Sequence, residues 1–204
     1  TLVPGTETEG KMSPRNLQST TITDELKLAT NFKGKVIGIS IKDRGAILPA
    51  GHFADWAFWY TKTGEFISSS YYGEKLPSWA DDFNKEKNYM AYANKGWSLS
   101  KPIATYNESL SDDNPYEGKL YKKTPFFPYN MKEMLDNNDA GVLRVSPYGN
   151  NLVYDFAKRA IEKEALGKDE ITDFLAISFS STDYIGHTFG PRSIEIQDTY
   201  LRLD

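Results

Sequence analysis

Two histidines stand in this chain of 204 residues, and one of them, His187, follows Asp183 by four positions in "FSSTDYIGHTFGP". A carboxylate oxygen and an imidazole nitrogen are both good zinc donors, and zinc takes about four in all. The spacing brings the two groups onto one side if the segment coils into a helical turn. The same spacing equally suits an aspartate that caps a turn and a histidine that bonds a backbone carbonyl. A second pair, Lys42 and Arg44, lies in "SIKDRGAILPAGH". In an extended segment these i and i+2 side chains share a face. An Arg fork and a Lys point charge together match a doubly charged phosphoryl group. The alternative is a solvated Lys-Asp-Arg turn in which Asp43 pairs locally. The other histidine, His52, is flanked by Pro, Gly and aromatic residues in "LPAGHFADW" and reads as a packing and hydrogen-bonding residue.

These side chains need elements to hold them. "VIGISI" (36–41) and "DFLAISFS" (173–180) are short apolar runs of the kind that form buried strands. Each candidate pair follows the carboxyl end of one such run, where open α/β sheets bind their ligands. After an irregular lead-in over 1–12, Ser13-Pro14 predicts a helix start, and Ile22, Leu26 and Ala29 predict an apolar stripe ended by "NFKGK". "KDRGAILPAGH" reads as a loop containing Gly and Pro. "AFWYTKTGEFISSSYY" reads as a hairpin around Thr63-Gly64. Past Leu76 the pattern loosens into a short helix after Pro77 and a turn-rich, aromatic stretch. "NLVYDFAKRAIEKEALG" predicts a helix closed by Gly167. "STDYIGHTFGP" reads as a polar turn. "SIEIQDTYLRLD" predicts a last helix with Ile196, Tyr200 and Leu203 as its stripe and no C-cap, as expected of an interior segment. The order of elements is that of an α/β sheet.

Composition narrows the function. Hydrophobic content of 39% and charged content of 25% are those of an ordinary globular domain. A net charge of −4 makes no case for nucleic acid. Cysteine is absent, which excludes thiolate metal sites and disulfides. No stretch approaches the roughly 18 apolar residues of a membrane span. The 14% aromatic share reads as sheet faces and insertion core, with Trp56, Phe58, Trp59, Tyr60, Tyr71, Tyr72, Phe126 and Phe127 the main contributors.

Four segments together, "SPRNLQSTTITDELKLAT", "GISIKDRGAILPAGH", "AFWYTKTGEF" and "FSSTDYIGHTFGP", resemble the bacterial phosphate-irrepressible alkaline phosphatases. Those enzymes are related to the type I phosphodiesterase/nucleotide pyrophosphatase branch of the alkaline phosphatase superfamily. The resemblance implies an alkaline-phosphatase-like α/β sheet with helices on its faces and an aromatic-rich insertion. The core would be 1–75 and 151–204, and the insertion 76–150. It implies that Asp183 and His187 hold one of two zinc ions and that Lys42 and Arg44 hold the oxygens of a phosphate monoester. The Thr or Ser nucleophile of the phospho-enzyme would lie outside this chain. So would the early aspartate, the later Asp-His pair and the third histidine of the family. A phosphodiesterase or pyrophosphatase specificity is the near alternative, and a non-catalytic anion-binding domain the alternative of another class. The chain is thus expected to be an internal piece, inactive alone, of an enzyme exported to the periplasm.

Overall fold

Val36–Ser40, buried along its whole length, forms the central strand β1 that its apolar run predicts. The computed structural model describes residues 9–120, 126–135 and 139–204, so most of the expected lead-in and the middle of the turn-rich stretch lie outside it. Three more strands follow: β2 (Trp56–Tyr60), β3 (Phe66–Ile67) and β4 (Phe174–Ser178). The helices are α1 (Ile22–Ala29), α2 (Asp43–Ala50), α3 (Ser78–Glu86) and α4 (Asn88–Lys95). After them come α5 (Met131–Leu135), α6 (Pro147–Lys163), α7 (Ser181–Phe189) and α8 (Ile194–Leu203). Contacts divide the chain into two compact units.

The first unit comprises Thr1–Thr61, Glu65–Glu86 and Val153–Ser178. Its sheet has the order β3-β2-β1-β4. β1 runs parallel to both β2 and β4, and β3 returns antiparallel on β2 as the short arm of the expected hairpin. One face packs on α2 through Val36, Ala46, Ile47, Ala50, Ala57, Trp59 and Ile67. The other is aromatic: Phe156 of α6 stacks on Phe66 at 4.1 Å and meets Phe58, Trp79 and Phe83 at 5.0–5.1 Å, and Phe58 meets Trp79 edge-on at 5.4 Å. Helices therefore cover both faces, as in other α/β sheets.

Several local expectations are corrected. The "KDRGAILPAGH" segment is helix α2, not a loop. Ala46, Ile47 and Ala50 supply a buried stripe, and Pro49 sits in the last turn. Packing thus overrides the breakers. Gly38 permits this approach, since a Cβ there would lie 2.1 Å from the Ala46 carbonyl oxygen. Ser13 does cap a turn, but it is a single 3-10 turn, Pro14–Asn16. α1 starts separately at a Thr21/Asp24 capping box. Its buried face is Thr23, Asp24 and Lys27, whereas Ile22 is 76% exposed. These polar groups are buried because they are paired: Lys27 Nζ donates to the Gly34 carbonyl and to Asp55 (2.9 Å). Asp24 accepts from the backbone of His52 and Phe53. α6 closes on Ala165 in the left-handed region, with Leu166 N–H reaching the Ile161 carbonyl, two residues before the expected Gly167. β4 is an edge strand, and its apolar Phe174 and Ile177 are 36% and 39% exposed.

The second unit comprises Lys62–Gly64, Lys87–Leu152 and Phe179–Asp204. Trp97, wholly buried, meets Phe127, Tyr129 and Phe189. Asp198 of α8 is its polar anchor. It accepts from Trp97 Nε1, from Ser100 N–H and Oγ, from Tyr106 and from Arg202. The buried face of α8 is Ile194–Ile196 with Asp198 and Thr199, while Tyr200 and Leu203 of the expected stripe are exposed.

Candidate functional site

The segment after β4 is helix α7, not a turn, so Asp183 and His187 stand one helical turn apart. Asp183 Oδ1 lies 3.5 Å from His187 Nε2, with side-chain exposures of 52% and 78%. A carboxylate in the first turn is favoured by the helix dipole. The donor set, one oxygen and one nitrogen converging at an open surface, fits a metal of the zinc type. Two donors are fewer than zinc takes, and among the described residues no group of three or more His, Cys, Asp or Glu is arranged to hold a metal.

Ser180, at the N-cap of α7, makes no side-chain cap, and the helix borrows one from α6. Ser181 N–H donates to Asn150 Oδ1 at 3.1 Å, and Asn150 Nδ2 donates to Thr182 Oγ1 at 3.4 Å. Nothing in "YGNN" marks Asn150 in the sequence; its role exists only once α6 and α7 are packed.

Lys42 is the N-cap of α2 and Arg44 occupies its first turn, so the pair is not in one extended segment as expected. Lys42 N–H donates to Ser40 Oγ (3.0 Å), and Arg44 N–H to Asp43 Oδ1 (2.7 Å). The Arg44 side chain is exposed and Lys42 half-buried. Gly45 makes the close approach of this turn to the strand ends possible. A Cβ there would meet Ser40 Oγ at 2.6 Å and Ser178 Oγ at 3.3 Å. Ser40 and Ser178 are partners at the carboxyl ends of β1 and β4. Both cations sit at the positive end of a helix, where an anion is the natural companion.

His52 behaves as expected, bonding Asp24 Oδ2 (3.2 Å) through Nδ1 and the Leu17 carbonyl (3.0 Å) through Nε2. The second unit also buries carboxyls that the sequence does not single out. Glu195 is wholly buried, and its Oε1 accepts from the Tyr129 hydroxyl at 2.6 Å. Glu195 Oε2 and both Glu117 oxygens are buried without a partner among the described residues. Burial, with the charges of Glu195, Asp112 and Asp113 added, pushes Glu117 up to about 7. Burial likewise pushes Glu195 up to about 7.

The model of the type I phosphodiesterase / nucleotide pyrophosphatase family matches residues 8–204. The chain belongs to that family. This member is 56% identical over 199 residues to a protein of Myroides odoratus named calcium-transporting ATPase. It is 52% identical over 205 residues to alkaline phosphatase PhoV of Synechococcus elongatus, covering 99% of the chain. The crystal structure of wild-type alkaline phosphatase PafA superposes over 99% of the chain with a TM-score of 0.95 at 48% identity. The α/β fold is thereby the alkaline-phosphatase-like one that the motifs imply. The chain spans 36% and 37% of the length of those two relatives, and 39% of the PafA chain. No helix among the described residues is long and apolar enough to cross a membrane.

Proposed function

We propose that this chain is the central segment of an exported, zinc-dependent phosphomonoesterase, with residues 76–150 inserted into a core formed by 1–75 and 151–204. The observation that carries the reading is the Asp183–His187 pair on one face of α7, a few residues beyond β4 in a family member with alkaline phosphatase relatives. Asp183 and His187 supply two donors to one zinc ion, and the remaining donors and the nucleophile come from polypeptide outside these 204 residues. Bound zinc supplies Lewis-acid stabilisation of charge on a phosphoryl oxygen. Lys42 and Arg44 bind and orient the non-bridging oxygens of the phosphate, at the amino end of α2 that already favours an anion. The name calcium-transporting ATPase on one relative fits the same chemistry, because ATP also ends in a terminal phosphoryl group.

The test is p-nitrophenyl phosphate hydrolysis by the longer enzyme and by this chain alone, each with added zinc. The longer enzyme is expected to turn over and to lose at least about a hundredfold on Asp183→Ala or His187→Ala. The 204-residue chain is expected to be inactive. Turnover by the longer enzyme that survives both substitutions would refute the ligand assignment. Turnover by the isolated chain would show that it carries its own nucleophile.

A further inference from the structure

We infer that Asn150 is a positioning residue for the metal-binding face of α7. The inference rests on the reading of Asp183 and His187 as ligands. A helix leaves its first N–H groups without intrahelical partners, and its own N-cap side chain ordinarily satisfies one. In α7 that residue, Ser180, does not cap. Asn150, only 6% exposed, reaches from α6 and accepts the Ser181 N–H instead. Its amide nitrogen engages the next residue, Thr182, whose hydroxyl oxygen is 3.4 Å away. The following residue is Asp183. One planar side chain thus contacts the two residues immediately before the carboxylate ligand.

The geometry has a direct consequence for ligation. Asp183 and His187 are largely exposed, and their separation of 3.5 Å is set by the pitch and rotation of α7. An uncapped first turn frays, and a frayed turn releases Asp183 before His187. The clamp sits on buried ground, since Ser181 is wholly buried and Ile185, one turn on, is too. Asn150 therefore ties the ligand-bearing turn to rigid structure, in the way that outer partners orient the ligands of metal sites.

The experiment is chelator competition for zinc in the longer enzyme, with thermal unfolding and amide hydrogen exchange read on the same samples. Asn150→Ala is expected to weaken zinc binding about tenfold under conditions where the variant stays folded. Exchange at the Ser181 amide should rise with it. Asn150→Asp should restore binding, because its carboxylate accepts the same N–H and the Thr182 hydroxyl can turn to donate. Thr182→Val deletes only the second contact and keeps the shape; it should weaken zinc roughly threefold. Unchanged zinc affinity in a folded Asn150→Ala variant would overturn the inference. If that variant does not fold, unchanged affinity in Thr182→Val would overturn it. Asp183→Ala separates the two assignments: if it binds zinc as tightly as the parent, the ligand reading itself fails, and the inference with it. If Asp183→Ala loses zinc while the Asn150 variant keeps it, only the positioning role falls.

Discussion

Cations at the amino end of a helix work against its dipole, at a cost of roughly 0.3–1 kcal/mol each at an exposed position. α2 nonetheless begins with Lys42, Asp43 and Arg44. Asp43 offsets part of that cost, and a bound phosphate dianion would reverse its sign. Lys42→Ala and Arg44→Ala in the longer enzyme should therefore damage monoester hydrolysis more than diester hydrolysis. A monoester dianion carries more charge on its non-bridging oxygens than a diester does. The loss in kcat/KM for the monoester should correspond to on the order of 2–4 kcal/mol per residue. The measurement is the pair of kcat/KM values for each variant. Equal losses on both substrates would return these residues to a solvated turn, while leaving the assignment of Asp183 and His187 intact.

At the level of elements, α8 is held by the buried Asp198 carboxylate as well as by Ile194 and Ile196 of its apolar face. Burial alone would raise the Asp198 carboxyl, but hydrogen bonds from Ser100, Tyr106, Trp97 and Arg202 hold it below the usual range. Removing it strands those donors in a buried site. Asp198→Ala should destabilise the second unit by on the order of 3–5 kcal/mol, the usual result of breaking one side of a buried charged network. Denaturant unfolding followed by circular dichroism reports it, with hydrogen exchange at the Trp97 indole N–H as the local probe, since that ring is wholly buried and bonded to Asp198. A change below about 1 kcal/mol, the worth of an exposed pair, would mean that the aromatic cluster alone holds α8.

At the scale of the molecule, two families of buried carboxyls pull stability in opposite directions with pH. Asp24 and Asp198 are held low, so their contribution is present above the unfolded carboxylate range and is lost as pH falls through their depressed values. Glu117 and Glu195 are raised from 4.5 to about 7. Their contribution is full below the unfolded value and disappears as pH rises through about 7. Asp112 and Asp113 beside them add repulsion once the pair ionises, whereas the Tyr129 hydroxyl donates to Glu195 and favours its charged form. Glu117→Gln or Glu195→Gln should stabilise the protein at pH 8 by on the order of 1–3 kcal/mol for the coupled pair. The gain should vanish near pH 5. Thermal melts of parent and variant at the two pH values check it, and an equal effect at both would show that charge is not the cause.

Short-range physics made much of this protein legible from its residues. Apolar runs at 36–41 and 173–180 contain strands, Thr63-Gly64 turns a hairpin, and Pro77 precedes a helix, because periodicity and turn chemistry act within a few residues. Residue type and spacing, together with motifs that resemble a known family, single out the four site candidates. Long-range packing decided the rest. It made a helix of a Gly- and Pro-containing segment, because Gly38 lets α2 lie against β1. It buried Thr23, Asp24 and Lys27 in place of Ile22, because partners 7 to 29 residues away satisfy those polar groups. It coiled the segment after β4 into α7, bringing Asp183 to within 3.5 Å of His187. Asn150 gained its place opposite Ser181 the same way, through a hydrogen bond spanning 31 residues of chain. A contact of that kind depends on where two helices meet, and no local pattern of residues encodes it.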